Sequence, residues 1–210
     1  MSLFLYIDTS GLYSHVLLFN EETILSEKIN KEENSHAKML NTHMEEMLIE
    51  HNIKWNEIDA IMVMNGPGSY TGLRIGLASA KGFCFAMDIP LILVTQFDLM
   101  REVIIDEKEK NIFILKAREN EFFVDFVQKN KGLNKVLNRK EILDLIEENN
   151  SYLVSTDTSL KNDFSNLKLI KINNHAIQNL GIKSFYRRTF TDILNAEPYY
   201  MKSVYFNKII

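Results

Sequence analysis

The chain has 210 residues, of which 46% are hydrophobic and 25% charged, so it is long enough to bury a substantial core. Its single cysteine excludes a disulfide framework, and no apolar run approaches the ~20 residues that a membrane helix needs. A net charge of −4 without an uninterrupted basic run is not typical of a nucleic-acid-binding surface. Because the first residues also lack a basic leader, we expect a cytoplasmic protein with no membrane association.

The first hundred residues read as a mixed α/β lobe. Hydrophobic patterns predict three short antiparallel strands at 3–8, 13–19 and 23–29, followed by a helix over about 35–52. A nearly continuous apolar run at 58–64 is typical of a strand buried on both faces. A helix over 71–87, a strand at 91–94 and a helix at 96–105 complete this lobe.

The second half repeats this order of elements. A charged hexapeptide at 106–111 marks the predicted boundary, so the lobes are 1–105 and a smaller 106–210. Three strands at 112–117, 122–128 and 133–137 precede a helix at 139–148, a strand at 152–155 and a helix at 174–180 closed by Gly181. The order predicts a duplicated α/β lobe. The aromatic tail over 185–206 is expected to pack back on the N-terminal lobe.

The most distinctive stretch is the glycine loop, Asn65 to Gly76, between the buried strand and the second helix. Such a loop presents backbone N–H groups at a helix N-terminus, which suits an anion. It matches neither a Walker P-loop nor a dinucleotide fingerprint, so tight packing explains its glycines about as well. Residues that would contact a nucleotide or anion lie at the end of the first strand and in the loop: Asp8, Thr9, Ser10, Gly66, Gly68 and Ser69. A hydrogen-bonded turn is the alternative interpretation at Asp8.

Small residues recur every four positions along the second helix, at Gly72, Gly76, Ala80 and Cys84. This spacing predicts a ridge along one helix face, where another helix can approach closely. The ridge either packs against the first helix or forms a protein–protein interface with it. The interface hypothesis names residues from both helices: Met39, His43, Met47, Gly72, Leu73, Gly76 and Ala80. No histidine spacing here matches a zinc pair, so no metal site is predicted.

The glycine loop, with Asp8-Thr9-Ser10 before it and His36 at the first helix, resembles the TsaB (YeaZ) family of tRNA threonylcarbamoyladenosine biosynthesis proteins. The segment Glu197 to Lys202 is similar to that family's closing Pro-x-Tyr stretch, with Lys202 where arginine is usual. The resemblance is strong over residues 1–100 and diffuse over about 105–185. It implies an actin-like ATPase/sugar-kinase (ribonuclease H-like) fold with two duplicated lobes, the second reduced.

The resemblance also implies a role beside a catalytic relative, TsaD, in forming N6-threonylcarbamoyladenosine next to the anticodon of tRNA. In TsaD an H-x-x-x-H metal pair follows the strand after the glycine-loop helix. The corresponding residues here are Gln96 and Met100, neither of which suits a catalytic metal ion. We therefore expect no catalytic residues and a non-catalytic dimerisation subunit. The alternative is a stand-alone nucleotide-dependent enzyme, or a glycoprotease-like hydrolase, of the actin-like class.

The partners implied by the resemblance are a TsaD-like catalytic subunit and a TsaE-like ATPase, with tRNA met indirectly through the complex. A homodimer is expected when these partners are absent. No cofactor is required, although ATP or ADP could sit at the subunit junction.

Overall fold

The computed structural model describes residues 1–32, 36–104, 110–128 and 131–201. The chain divides into two compact units, of which unit 1 contains Met1–Glu102 and Ile172–Tyr199, and unit 2 contains Val103–Lys171. The division after Glu102 lies three residues from the predicted boundary. The predicted range of 106–210 for the second lobe needs correction, since Ile172–Tyr199 returns to unit 1.

The described residues form ten strands and five α-helices. The strands are β1 Leu3–Asp8, β2 Ser14–Asn20, β3 Ile24–Asn30, β4 Ala60–Gly66, β5 Leu91–Thr95, β6 Asn111–Lys116, β7 Glu121–Gln128, β8 Lys131–Asn138, β9 Tyr152–Ser155 and β10 Leu167–Leu169. The helices are α1 His36–Glu50, α2 Tyr70–Met87, α3 Gln96–Val103, α4 Arg139–Asn149 and α5 Asn174–Tyr186. None of the described helices is long and apolar enough to cross a membrane.

The two sheets share one topology. Unit 1 has the strand order β3-β2-β1-β4-β5, and unit 2 has the order β8-β7-β6-β9-β10 when read in the same direction. In each, the first three strands in sequence pair antiparallel and the last two add in parallel. The prediction of a duplicated α/β lobe with an actin-like, ribonuclease H-like fold is therefore confirmed.

The sheet of unit 1 is buried on both faces, as the apolar run in β4 predicts. All seven residues of β4 are buried. One face packs against α1 and α2 through residues such as Met44 and Leu77, and the other packs against α5 and α3 through Ile177 and Leu99. Burial of this apolar surface on two sides is the main term that stabilises the unit.

One expectation about the chain after residue 170 needs correction. Gly181 does not end a helix, because α5 continues to Tyr186. A Cβ at Gly181 would lie 2.9 Å from Cζ of Phe19, so this glycine allows α5 to approach the sheet. The described part of the aromatic tail up to Tyr199 belongs to unit 1, where Phe185 packs on the core and Tyr186 and Phe190 are exposed. Tyr205 and Phe206 lie outside the described residues.

Cys84 is predicted to be unreactive in the folded chain. The residue is fully buried, and burial raises the pKa of its thiol from 9.0 to about 12. Thiolate is the reactive form, so a thiol-specific disulfide reagent at pH 8 should label native protein at least ~100-fold more slowly than denatured protein. Equal labelling rates would contradict the burial of Cys84. The raised pKa also means that stability contributed by this group is lost as pH rises from about 9 towards 12.

Candidate functional site

The turn that follows β1 satisfies its own polar groups. Oδ1 of Asp8 accepts hydrogen bonds from the backbone N–H of Ser10 at 2.8 Å and from its hydroxyl at 2.7 Å. Oδ2 of Asp8 accepts from the hydroxyl of Tyr6 at 3.3 Å. Burial, and secondarily the Asp8 carboxylate, raise the pKa of Tyr6 well above 10, so this phenol remains a donor. The carboxylate therefore organises a local turn, the alternative that the sequence left open at Asp8.

The glycine loop packs directly against this turn. The backbone N–H of Ser69 donates to the carbonyl oxygen of Ser10 at 2.7 Å, and the hydroxyl of Thr9 donates to the carbonyl oxygen of Gly72 at 2.6 Å. Gly68 must lack a side chain, because a Cβ there would lie 2.6 Å from Cβ of Ser10. The loop and the turn are two halves of one close contact.

The start of the glycine loop contacts Ile172–Tyr199, the part of unit 1 that follows unit 2 in the chain and that we call the returning segment. The backbone N–H of Tyr199 donates to the carbonyl oxygen of Asn65 at 3.0 Å. Gly66 has a φ of 125°, which disfavours other residues, and a Cβ there would lie 2.9 Å from the carbonyl oxygen of Tyr199. The matched Pro-x-Tyr stretch thus packs against the glycine loop, a proximity that the sequence did not predict.

The side chains among the predicted anion contacts are engaged in hydrogen bonds within the chain. The backbone N–H and the hydroxyl of Ser10 both donate to Asp8, and the hydroxyl of Thr9 donates to the carbonyl oxygen of Gly72. Oγ of Ser69 accepts a hydrogen bond from the N–H of Gly72 at 3.2 Å. A phosphate site needs donors that converge on the ligand. Since the side chains of Thr9, Ser10 and Ser69 have partners within the turn and the loop, the geometry favours packing as the role of the glycines.

The two positions aligned with the metal pair of TsaD also have structural roles. Nε2 of Gln96 donates to the carbonyl oxygen of Pro67 at 3.0 Å and so braces the glycine loop. Met100 is fully buried. In the described part of the chain, no group of three His, Cys, Asp or Glu side chains could hold a metal ion.

The small-residue ridge of α2 faces the sheet of its own chain, which corrects its assignment to a partner interface. Gly72, Gly76 and Ala80 are buried. A Cβ at Gly72 would overlap the carbonyl oxygen of Thr9, and one at Gly76 would lie 2.5 Å from Oγ1 of Thr9. The glycines let the helix lie close to β1, so this face is not available to a partner.

The other predicted interface residues lie either in the core of unit 1 or at the margin of α1. Met47 and Leu73 are core residues with at most 2% of their surface exposed, so they too are removed from the interface. Met39 and His43 are partly buried and remain at the margin of α1. The predicted face of α2 is therefore buried within unit 1.

The exposed face of α2 carries a second stripe, which we call the outer stripe: Thr71, Arg74, Ala78, Gly82 and Phe85. Phe85 is 75% exposed, and a Cβ at Gly82 would meet nothing within 4 Å. The hydroxyl of Ser79 donates to Oδ1 of Asn41 at 2.9 Å, so the exposed side of α1 adjoins the stripe. The four-residue spacing of Ala78 and Gly82 is visible in the sequence, but it is shorter than the inner ridge formed by Gly72, Gly76, Ala80 and Cys84.

A helix face with small residues and an exposed aromatic ring is suited to close approach by another protein surface. Ile49, on the exposed side of α1, adds a side chain that is 71% exposed. On the opposite flank, Nζ of Lys81 donates to the carbonyl oxygen of Ala196 at 3.0 Å. That contact fixes the segment before Tyr199 beside α2, where Leu194 is 81% exposed.

Comparison with known proteins identifies the family. The model of the family TsaD, tRNA N6-adenosine threonylcarbamoyltransferase, matches residues 23–176, which is most of the chain. The chain belongs to the TsaD family. Within this family, similarity to TsaB and YeaZ proteins supports assignment to the TsaB (YeaZ) group.

Two curated relatives carry the name tRNA threonylcarbamoyladenosine biosynthesis protein TsaB. The protein from Haemophilus influenzae is 29% identical over 131 residues, which is 60% of this chain and 54% of the relative. The protein from Bacillus subtilis is 31% identical over 96 residues, or 46% of this chain and 42% of the relative. The chain thus spans about half the length of the curated relatives it matches.

The fold of this TsaD-family chain is also found in a solved structure of YeaZ from Pseudomonas aeruginosa. The two share a TM-score of 0.72 at 21% identity, over 95% of this chain and 100% of the YeaZ chain. At that identity the match concerns the fold alone. It extends over both lobes, including the half in which the sequence resemblance is diffuse.

Proposed function

We propose that the chain is a non-catalytic subunit that binds and stabilises a TsaD-like catalytic subunit, in the complex that forms N6-threonylcarbamoyladenosine in tRNA next to the anticodon. Membership of the TsaD family and the names of the two TsaB relatives support this pathway. Gln96 and Met100, at the positions of the TsaD metal pair, support a role other than catalysis. A TsaE-like ATPase and indirect contact with tRNA belong to the same proposal.

The outer stripe of α2 carries the proposal that the partner binds here. It combines small residues, at Ala78 and Gly82, with the exposed ring of Phe85, beside the exposed side of α1. Exposed apolar surface of this kind costs solubility unless a partner covers it. In the absence of the catalytic subunit, a second copy of the chain would cover the same face as a homodimer.

The interface is tested by Gly82→Arg. Because Gly82 is exposed and a Cβ there would meet nothing within 4 Å, the variant should fold normally and place a long cation on the outer stripe. We expect its affinity for the TsaD-like subunit of the same organism, measured by isothermal titration calorimetry, to fall at least ~10-fold, or about 1.4 kcal/mol. The matched control is Asn179→Arg, which puts the same residue on the exposed side of α5.

Unchanged affinity of Gly82→Arg, with a native melting temperature, would place the interface elsewhere. The same calorimeter tests the enzyme alternative, in which this chain acts alone on a nucleotide. Micromolar affinity for Mg-ATP, together with turnover by the isolated chain, would overturn the non-catalytic role. Binding of nucleotide only after the TsaD-like subunit is added would agree with a site at the subunit junction.

A further inference from the structure

Unit 2 contains a cavity with no role in the function proposed above. It has a volume of about 590 Å³ and lies between α4 and the segment from Asp163 to Asn166. This volume is within the range typical of sites that bind small ligands, about 300 to 1,000 Å³. The cavity belongs entirely to the second lobe, the half of the chain for which sequence resemblance offers least explanation.

The middle of the cavity is apolar. Leu143 and Ile146 of α4 line one side of the cavity. Leu153 and Phe164 also line it, and these two side chains are each less than 5% exposed. Leu143 is 41% exposed, so the apolar surface is open to solvent. Ser151 also lines the cavity, and its buried hydroxyl has no hydrogen-bond partner among the described residues. An amide group of a ligand would supply one.

Opposite charges stand at the two ends of the cavity. Arg139, at the start of α4, donates from Nε to the carbonyl oxygen of Asp163 at 3.0 Å, and no described carboxylate pairs with it. The carboxylate of Asp163 is paired with Lys116 instead, at 3.1 Å. Glu147, in the last turn of α4, likewise pairs with no cation in the described ranges. Arg139 and Glu147 are eight residues apart, so their backbone positions are separated by about 12 Å along the axis of α4.

This distribution of charge is not explained by the stability of the helix. A helix dipole favours acidic side chains near the N-terminus and basic ones near the C-terminus. Arg139 and Glu147 are placed the other way round, and the last turn of α4 contains no basic residue. The N-terminus of α4 already has its own cap, since Asn138 and Glu141 form a capping box. A ligand with complementary charges accounts for the arrangement.

We propose that this cavity binds a short extended peptide segment of another protein, with an acidic residue at one end, apolar residues in the middle and a basic residue at the other. The acidic residue pairs with Arg139 and the basic residue with Glu147. An extended chain rises about 3.3 Å per residue, so a span of about 12 Å corresponds to roughly four residues. The apolar residues of the peptide cover Leu143 and Phe164.

The test titrates the ¹⁵N-labelled full-length chain with synthetic tetrapeptides and follows amide chemical shifts. The probe is acetyl-Asp-Leu-Phe-Lys-amide, and the comparison peptide is acetyl-Asp-Leu-Phe-Asp-amide. We expect the mixed-charge peptide to bind at least ~5-fold more tightly, with shifts in α4, β9 and residues 163–166. In the variant Glu147→Lys, this preference should reverse in favour of the di-acidic peptide.

The variant Leu143→Asn should weaken both peptides without changing their order, because it removes apolar wall and leaves both charges. Both substituted side chains are exposed, so native melting temperatures are expected and should be verified. Shifts that map outside unit 2, or an unchanged preference in Glu147→Lys, would overturn the proposal. So would the absence of any shift at a peptide concentration of several millimolar.

Discussion

Replacing Gly72 with alanine is expected to destabilise the chain by at least about 3 kcal/mol, although alanine is the better helix former. The added Cβ would overlap the carbonyl oxygen of Thr9, and backbone cannot move aside as a flexible side chain can. Relief requires α2 to shift away from β1, which also breaks the hydrogen bond from the hydroxyl of Thr9 to the carbonyl of Gly72. Chemical denaturation followed by circular dichroism measures the loss.

The matched control is the same substitution at Gly82, nearly three turns further along the same helix. A Cβ there meets nothing within 4 Å, so Gly82→Ala should stabilise the chain by about 0.5 to 1 kcal/mol. Opposite signs at the two positions would establish which face of α2 packs on the sheet. If Gly72→Ala unfolds at the same denaturant concentration as the wild type, the inner ridge is not in contact with β1.

Replacing Phe4 with alanine is expected to cost about 3 to 5 kcal/mol. Phe4 is 1% exposed, and its ring stacks on Phe19 with centroids 5.3 Å apart. It also meets the edge of Phe185 in α5, with centroids 5.1 Å apart. The cavity would therefore open where the returning segment joins the sheet of unit 1. Loss of native-state amide protection in α5, measured by hydrogen exchange, would accompany the loss of global stability.

The control for Phe4→Ala is Leu194→Ala, which removes a side chain of the returning segment that is 81% exposed. Its effect on stability should be within about 0.5 kcal/mol of zero. A small effect of Phe4→Ala, with α5 still protected, would mean that α5 does not depend on this contact. In that case Ile172–Tyr199 would have to be attached to unit 1 by other residues.

Much of the fold could be predicted from sequence because the relevant signals are local. The apolar run in β4 indicated a strand buried on both faces, and all seven of its residues are buried. The repeated order of strands and helices indicated two related lobes. Each of these follows from the period of hydrophobic residues, which local geometry fixes.

The candidate site was less predictable, because its contacts join residues far apart in the chain. Thr9 and Gly72 are separated by 63 positions, so the sequence could not reveal that this pair closes the glycine loop. The turn at Asp8 is a local contact with Ser10, and the sequence offered it as one of two interpretations. A glycine-rich loop before a helix is equally consistent with a phosphate site and a close backbone contact.

By itself, the sequence determined the order of elements, the duplicated lobes and the resemblance to a family, since these depend on patterns read along the chain. The tertiary structure decided what the glycine loop does. Gly66, Gly68 and Gly72 allow the loop to meet the returning segment and the turn after β1. It also decided which stripe of α2 is exposed. Small residues permit close approach on either face of the helix, and the sheet of unit 1 covers one of those two faces.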